Sequence, residues 1–302
     1  MKYPPGFIPE RITDSDAIYD VVFGSLGQAT PISWKQYLPK LENQVPLPYC
    51  VSFSRLNCAE AVAKKNGQDI NFSDRALAVE SGTTKEGASF TEVSEKFRVL
   101  GAVSEADCPF VDSWDESVKL PDLSGKRRYF GGSHSWVVGG VEAMRDALKY
   151  SPLQVGYGVG LEYNFGGVVP PPSGDIKFYH GTVCYEISDK GFEIYDSIYA
   201  EFKTLSLEYP IPWAKSFRDL PAGWKKTNSM YLLQRDPENV NEIFAVRSGV
   251  IKRHIANRQT LVLGAIEPDA LCSFYPGSDI PLGCVSFKNL VEGAELILAP
   301  KD

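Results

Sequence analysis

The chain is poor in the features that mark several functional classes. Of its 302 residues only three are histidine (His134, His180 and His254) and six are cysteine, and no pairing of these has the spacing of a zinc site. No apolar run is long enough to span a bilayer, and the opening MKYPPGFIPERITD carries prolines and charges where a secretory signal would carry an apolar core. Basic residues are not in excess. The formal net charge is −7, and the basic pieces, Lys126 to Arg128 and IKRHIANR, are short, so the electrostatic footprint for nucleic acid is missing. The scattered glycine clusters lack the strand, GxGxxG and helix context of nucleotide binding, and no cofactor is expected. The cysteines are irregularly spaced in a chain of this size, which does not read as a disulfide framework and agrees with a reducing compartment such as the cytoplasm.

What is present is a globular composition, 43% hydrophobic, enough for one large core or two modest ones. One segment stands out, QVPLPYCVSFSRLNCAEAVAKKNG. After Cys50 the apolar residues Phe53, Leu56, Ala59, Val62 and Ala63 recur at three- and four-residue steps, predicting a helix that Gly67 stops. A cysteine on the first turn of a helix meets unpaired backbone N–H groups and the positive end of the macrodipole, which favour the reactive thiolate. The helix is expected to pack by one face and leave Cys50 at an exposed end.

Farther on, FYHGTVCYEISDKGFEIYDSIY alternates Val183, Tyr185 and Ile187, turns at Ser188 to Gly191, then resumes with Phe192, Ile194 and Tyr195. A hairpin of this kind brings His180 and Asp196 together although 196 − 180 = 16 positions separate them. An imidazole beside a thiol can take its proton, and a carboxylate can orient the ring and stabilise the imidazolium.

Together these segments resemble papain-like cysteine proteases, in which a glutamine lies six residues before the nucleophilic cysteine, as Gln44 does here (50 − 44 = 6). The partners of that cysteine fall about 130 to 150 residues downstream in the family, and here they lie at 180 − 50 = 130 and 196 − 50 = 146. The resemblance covers about residues 26 to 205. Trp34 and Lys35 match the start of a mature domain, GTTKEGASFTEVSEKFRVLGAVSEADCPF the glycine turn and helix, and GVEAMRDALKYSPLQVGYGV the helix and strand before the histidine. It implies an α+β, two-lobed fold, a helical lobe carrying Cys50 and a β-barrel-like lobe carrying His180 and Asp196. It also implies peptide hydrolysis, with Gln44 as oxyanion donor and Gly87 pairing with an extended substrate. The chain departs from the family pattern at several places. The local C-G-[SA]-C-[WY] signature reads Leu47 to Val51, so the family's disulfide from the position of Leu47 cannot form. Asp196 replaces the usual asparagine, and Ile198 a shielding tryptophan. No long inhibitory propeptide is expected, only a short arm that could cover the cleft.

Singly, each residue has a plainer reading: Cys50 as a buried thiol, His180 as a core histidine, Asp196 as a turn cap, with Cys58, Cys108, Cys184, Cys272 and Cys284 as packing residues. His134, in GGSHSWVVGG, reads as a loop residue near the cleft rim, and His254 as a surface residue. The expected organisation is an arm (1–25), a protease-like domain (26–210), a Pro-, Trp- and Gly-rich linker (211–227) and a small, mostly β module (228–302). That module has a strand at MYLLQ, a hairpin around Ser248-Gly249, a short helix capped by Asn257 and further strands. It loosely resembles modules appended to phage and bacterial surface proteins, which implies a partner or assembly role. The reading from a different class is a catalytically silent papain-like scaffold, a binding or structural subunit such as a virion component.

Overall fold

The helix predicted after Cys50 forms as α1, Cys50–Lys65, and Gly67 ends it in the left-handed region at φ +80°. In this computed structural model the described residues are 6–13, 16, 18, 32–164 and 166–218, together with the backbones of 231–235, 243–247, 251–255, 271–273 and 291–292. The expectation of a one-faced α1 does not hold. Every residue from Cys50 to Ala63 is buried, because helices close one side of α1 and a sheet closes the other.

On the helical side, α2 (Asp74–Glu80) is capped by Ser73, whose hydroxyl accepts from the Ala76 amide, and α3 (Phe90–Val99) starts with a capping box between Ser89 and Glu92. A short turn, α4 (Trp114–Ser117), follows, and α5 (Gly140–Ala147) precedes the sheet's central strand. The sheet contains β1 (Ser133–Trp136), β2 (Leu153–Val159), β3 (Val168–Val169), β4 (Phe178–Ile187), β5 (Phe192–Asp196), β6 (Glu201–Leu205) and β7 (Trp213–Arg218). Its order is β1-β7-β2-β4-β5-β6-β3. β4 and β5 are the predicted hairpin, with an irregularity between Cys184 and Glu186. The fold is α+β.

Two apolar clusters match the two lobes. One contains Trp34, Cys58, Val155, Tyr157, Val183 and Ile194, and the other Phe7, Cys50, Leu56, Phe72, Phe90 and Trp136. The Arg55 guanidinium leaves α1 between the rings of Phe97 and Phe217, at 4.7 and 3.8 Å, a cationic side chain held by π faces in the interior.

Two sequence readings need correction. The supposed linker begins with a core strand: β7 pairs with both β1 and β2, and its alternate residues pack inward despite the flanking prolines. His134 is not a loop residue, since it lies in β1 opposite Phe217. The chain divides into two units, residues 1–224 and 225–302. In the second, β8 (Tyr231–Arg235), β9 (Ile243–Arg247) and β10 (Ile251–Ile255) form an antiparallel run, flanked by parallel partners β11 (Leu271–Ser273) and β12 (Val291–Glu292). The helix expected after Asn257 lies outside the described residues. None of the described helices is long and apolar enough to cross a membrane.

Candidate functional site

Cys50 is the first residue of α1, where no preceding turn satisfies its amide and Tyr49 supplies no side-chain cap. Its sulfur accepts from the Gly181 amide at 3.4 Å, which fixes the helix tip against β4. His180, the residue before Gly181, is buried and bonds through Nε2 to Asp196 Oδ1 at 2.9 Å. The other ring nitrogen, Nδ1, is buried and has no hydrogen-bond partner. Burial by itself would push His180 down. The Asp196 carboxylate, by charge and hydrogen bond, with a smaller contribution from the Cys50 thiol, outweighs burial and lifts the imidazole to about 9.

Asp196 shows the same contest with the opposite outcome. Burial pushes its carboxyl up, but His180, Tyr163 and the Ile198 amide hold it below the usual carboxylate range. The Tyr163 hydroxyl donates to Oδ2 at 2.8 Å and the Ile198 amide donates to Oδ1 at 2.8 Å. Tyr163 is in turn 2.9 Å from the Tyr157 hydroxyl, so the carboxylate ends a short chain of buried hydroxyls. Every lone pair of Asp196 thus faces a donor, and a charged form with those partners is what the site favours.

Gln44 is fully buried. Its Nε2 donates to the Leu47 carbonyl at 3.0 Å, its Oε1 accepts from Ser197 Oγ at 2.7 Å, and its backbone amide donates to the Ser197 carbonyl at 2.9 Å. Ser197 follows Asp196, so this bond ties the strand before the cysteine to the carboxylate's turn. One Nε2 proton is left over by those contacts. Under α1, Gln154 of β2 donates to the Val51 carbonyl and to Ser54 Oγ, and Ser54 donates to the Cys50 carbonyl at 2.7 Å, which pins the first helical turn.

Gly87 sits at φ +112°, a conformation that favours glycine, and a Cβ there would run into the Gly6 backbone. Its own amide and carbonyl are taken by Thr84, at 3.1 and 3.0 Å, and the pairing with an extended strand is made by the next residue. Ala88 accepts from the Ile8 amide at 2.9 Å and donates to the Gly6 carbonyl at 3.1 Å. The strand lying there is the chain's own N-terminal arm.

This arm explains why Cys50 is not exposed. A Cβ built on Gly6 would lie 2.6 Å from Cys50 Sγ, so the arm's backbone rests directly over the sulfur. Phe7 stacks on Phe90 with ring centres 4.3 Å apart, meets Trp213 edge-on at 5.2 Å, and presses on Gly156, where a Cβ would be 2.6 Å from its ring. Gly6, Phe7, Tyr163, Ser197, Gln154 and Ser54 were not singled out in the sequence. The arm has no periodic pattern, and the others reach the site from strands and loops whose register only the fold fixes.

Among the described residues no group of histidine, cysteine and carboxylate side chains could hold a metal ion, and Cys50, Cys58, Cys108 and Cys184 are all free thiols. The arrangement is therefore a sulfur, an imidazole and a carboxylate in line, with backbone and amide donors around the sulfur.

No protein-family model matches the sequence, and no curated protein does. Solved structures do match. Xylellain, a cysteine protease from Xylella fastidiosa, aligns over 72% of this chain and 97% of its own with a TM-score of 0.58 at 15% identity. The cysteine protease and lectin-like domains of Cwp84, a surface layer associated protein of Clostridium difficile, align over 81% of this chain and 61% of their own, with a TM-score of 0.61 and 12% identity. Digestive procathepsin L 3 of Tenebrio molitor aligns over 65% and 72%, with a TM-score of 0.55 and 16% identity. The chain therefore has the papain-like cysteine protease fold.

Proposed function

We propose that this protein is a papain-like cysteine peptidase in which Cys50, His180 and Asp196 hydrolyse peptide bonds and Gln44 assists at the oxyanion. The observation that carries this reading is the imidazole of His180, bonded on one side to a buried carboxylate and open on the other beside the helix-tip sulfur. In the first step the Cys50 thiol gives its proton to His180 Nδ1 and the sulfur attacks the scissile carbonyl carbon. The carbonyl oxygen takes the electron pair, and the Cys50 amide with the remaining Gln44 Nε2 proton faces it. As the carbon–nitrogen bond breaks, His180 returns the proton to the departing amine, leaving a thioester. Water, deprotonated by His180, then attacks the thioester, and the carboxylic acid product leaves as the thiol is restored. Asp196 stabilises the imidazolium throughout. Extended substrate pairs along Gly87 and Ala88, as strand addition requires. The free thiols favour action in a reducing compartment, and residues 225–302 would serve as a partner or assembly module.

The contact of Gly6 over Cys50 favours a second reading, a scaffold whose sulfur is permanently covered. Cleavage of a peptide library by the wild type under reducing conditions, abolished in Cys50→Ala, is the outcome expected for the peptidase. Absence of cleavage by protein whose Cys50 is demonstrably alkylated would establish the scaffold instead.

A further inference from the structure

Beyond the sulfur the arm continues into a second set of contacts that backbone pairing does not require. The Glu10 carboxylate accepts from the Thr91 amide at 3.0 Å, on the open first turn of the ten-residue helix α3. The Glu10 carbonyl accepts from Trp213 Nε1 at 2.8 Å, and Ile18 forms an isolated bridge with Trp136. Beneath these residues Lys215, 1% exposed, donates to Thr91 Oγ1 at 2.8 Å and lies 4.3 Å over the Trp136 ring.

An ammonium removed from water needs counter-charge. Burial draws Lys215 down to about 8; Glu10 and Asp16 of the arm and Glu95 of α3 act to keep it charged, while Arg55 of α1 acts against that. His134 of β1, 3.4 Å away, is itself bound to Glu95 and held below the ordinary histidine range, chiefly by burial. Glu95 is thus shared with His134 and Arg98, and the arm supplies the other two acidic groups. Asp16 is held below the usual carboxylate range by the Thr13 amide first, with Lys215 contributing.

We infer that the Thr91 amide, Lys215 and the Trp136 and Trp213 rings form a carboxylate-accepting subsite beside the cleft, filled here by Glu10 with Asp16 near it, which latches residues 6–13 over Cys50. Its ligand class is an extended peptide with a bulky aromatic side chain and, three residues later, a carboxylate, the pattern Phe7 and Glu10 present. As regulation of catalysis this rests on the reading of Cys50 as nucleophile. The latch itself does not, because access to the sulfur can be read without turnover.

The test uses the full chain and the rate at which uncharged iodoacetamide alkylates Cys50, followed by peptide mapping. Glu10 is only partly buried, so Glu10→Gln keeps shape and removes charge. The expected result is alkylation about three- to tenfold faster than in the wild type, the size of one charge-assisted hydrogen bond. Raising the salt should speed the wild type and leave Glu10→Gln unchanged. A synthetic peptide of residues 6–13, added to Glu10→Gln, should slow alkylation again, and the same peptide with glutamine in place of the acid should need about tenfold more. Equal rates in wild type and Glu10→Gln, or equal protection by the two peptides, would overturn the latch. If alkylation behaves as expected but no form cleaves peptides, the latch stands and the peptidase reading falls.

Discussion

At the residue scale the site depends on Asp196 remaining an anion inside the protein. Three donors, from His180, Tyr163 and the Ile198 amide, oppose the burial that would protonate it. Tyr163→Phe removes one and leaves the other two, so it should cost about 1–2 kcal/mol in stability. It should also raise the Asp196 pKa, moving the acid limb of the pH–activity profile to higher pH, while tyrosine-to-phenylalanine changes elsewhere leave that limb unmoved. A titration of kcat/KM against pH checks this. Cys50, His180 and Asp196 were legible because their chemistry is distinctive and a hairpin accounts for two of the three. Tyr163 was not, since a tyrosine in GLEYNFGG has no local pattern that aims it at a carboxylate 33 positions later. Gly6 was invisible for a related reason: its role is to be small above a sulfur, and smallness in a proline-rich arm reads as a turn.

At the element scale the arm is held by very few apolar contacts, and Phe7 makes most of them. Phe7→Ala removes a buried ring whose loss costs about 3–5 kcal/mol in a packed core. Because the arm can detach without unfolding the rest, most of that cost should appear as exposure of Cys50, with alkylation at least about tenfold faster and the melting temperature little changed. The strand β7 teaches the converse lesson. PIPWAKSFRDLPAGWKK has the composition of a linker, yet Ala214, Lys215, Ser216 and Phe217 are all buried between two partners. Prolines that flank a strand do not interrupt its ladder, and a buried lysine inside it hides the apolar alternation that would otherwise have revealed it. The hairpin β4 and β5 lacked such a disguise.

At the scale of the whole molecule, a group of carboxyls far from the cysteine governs how stability varies with pH. Glu42, Glu60, Asp74 and Glu105 surround the segment Asn71 to Ser73. Glu60 accepts from the Phe72 amide at 2.7 Å, Asn71 donates to Glu42 at 3.2 Å, and the Glu105 amide donates to the Asn71 carbonyl at 2.9 Å. Burial first, then mutual repulsion, pushes all four up, Glu105 to about 7, and one oxygen each of Glu42, Glu60 and Asp74 has no partner. Their folded pKa values lie above the unfolded ones, so the folded state holds protons that the unfolded chain has lost. Stability should therefore be fullest below the ordinary carboxylate range and decline as pH rises through 7. His180, raised to about 9, adds a decline in the same direction at higher pH. Denaturant unfolding at pH 5.5 and 8 checks the sign. Glu60→Gln should flatten the slope and, at pH 8, stabilise by on the order of 1–2 kcal/mol. The fold itself was legible as two lobes because helical and alternating patterns separate cleanly along the sequence. The carboxyl group was not, since its members come from four separate stretches of chain.

The central claim is that Cys50 and His180 act as one ionising unit, and alkylation of Cys50 at pH 6 in wild type and His180→Ala tests it most directly. The ratio of the two rates cancels the shielding by the arm, which both forms share. The account predicts that the wild type reacts at least about tenfold faster at pH 6 and that the difference shrinks as pH rises past the ordinary thiol range near 8.5. Equal rates in the two proteins across that range would mean that the imidazole does not activate the sulfur, and the proposed peptidase would be contradicted.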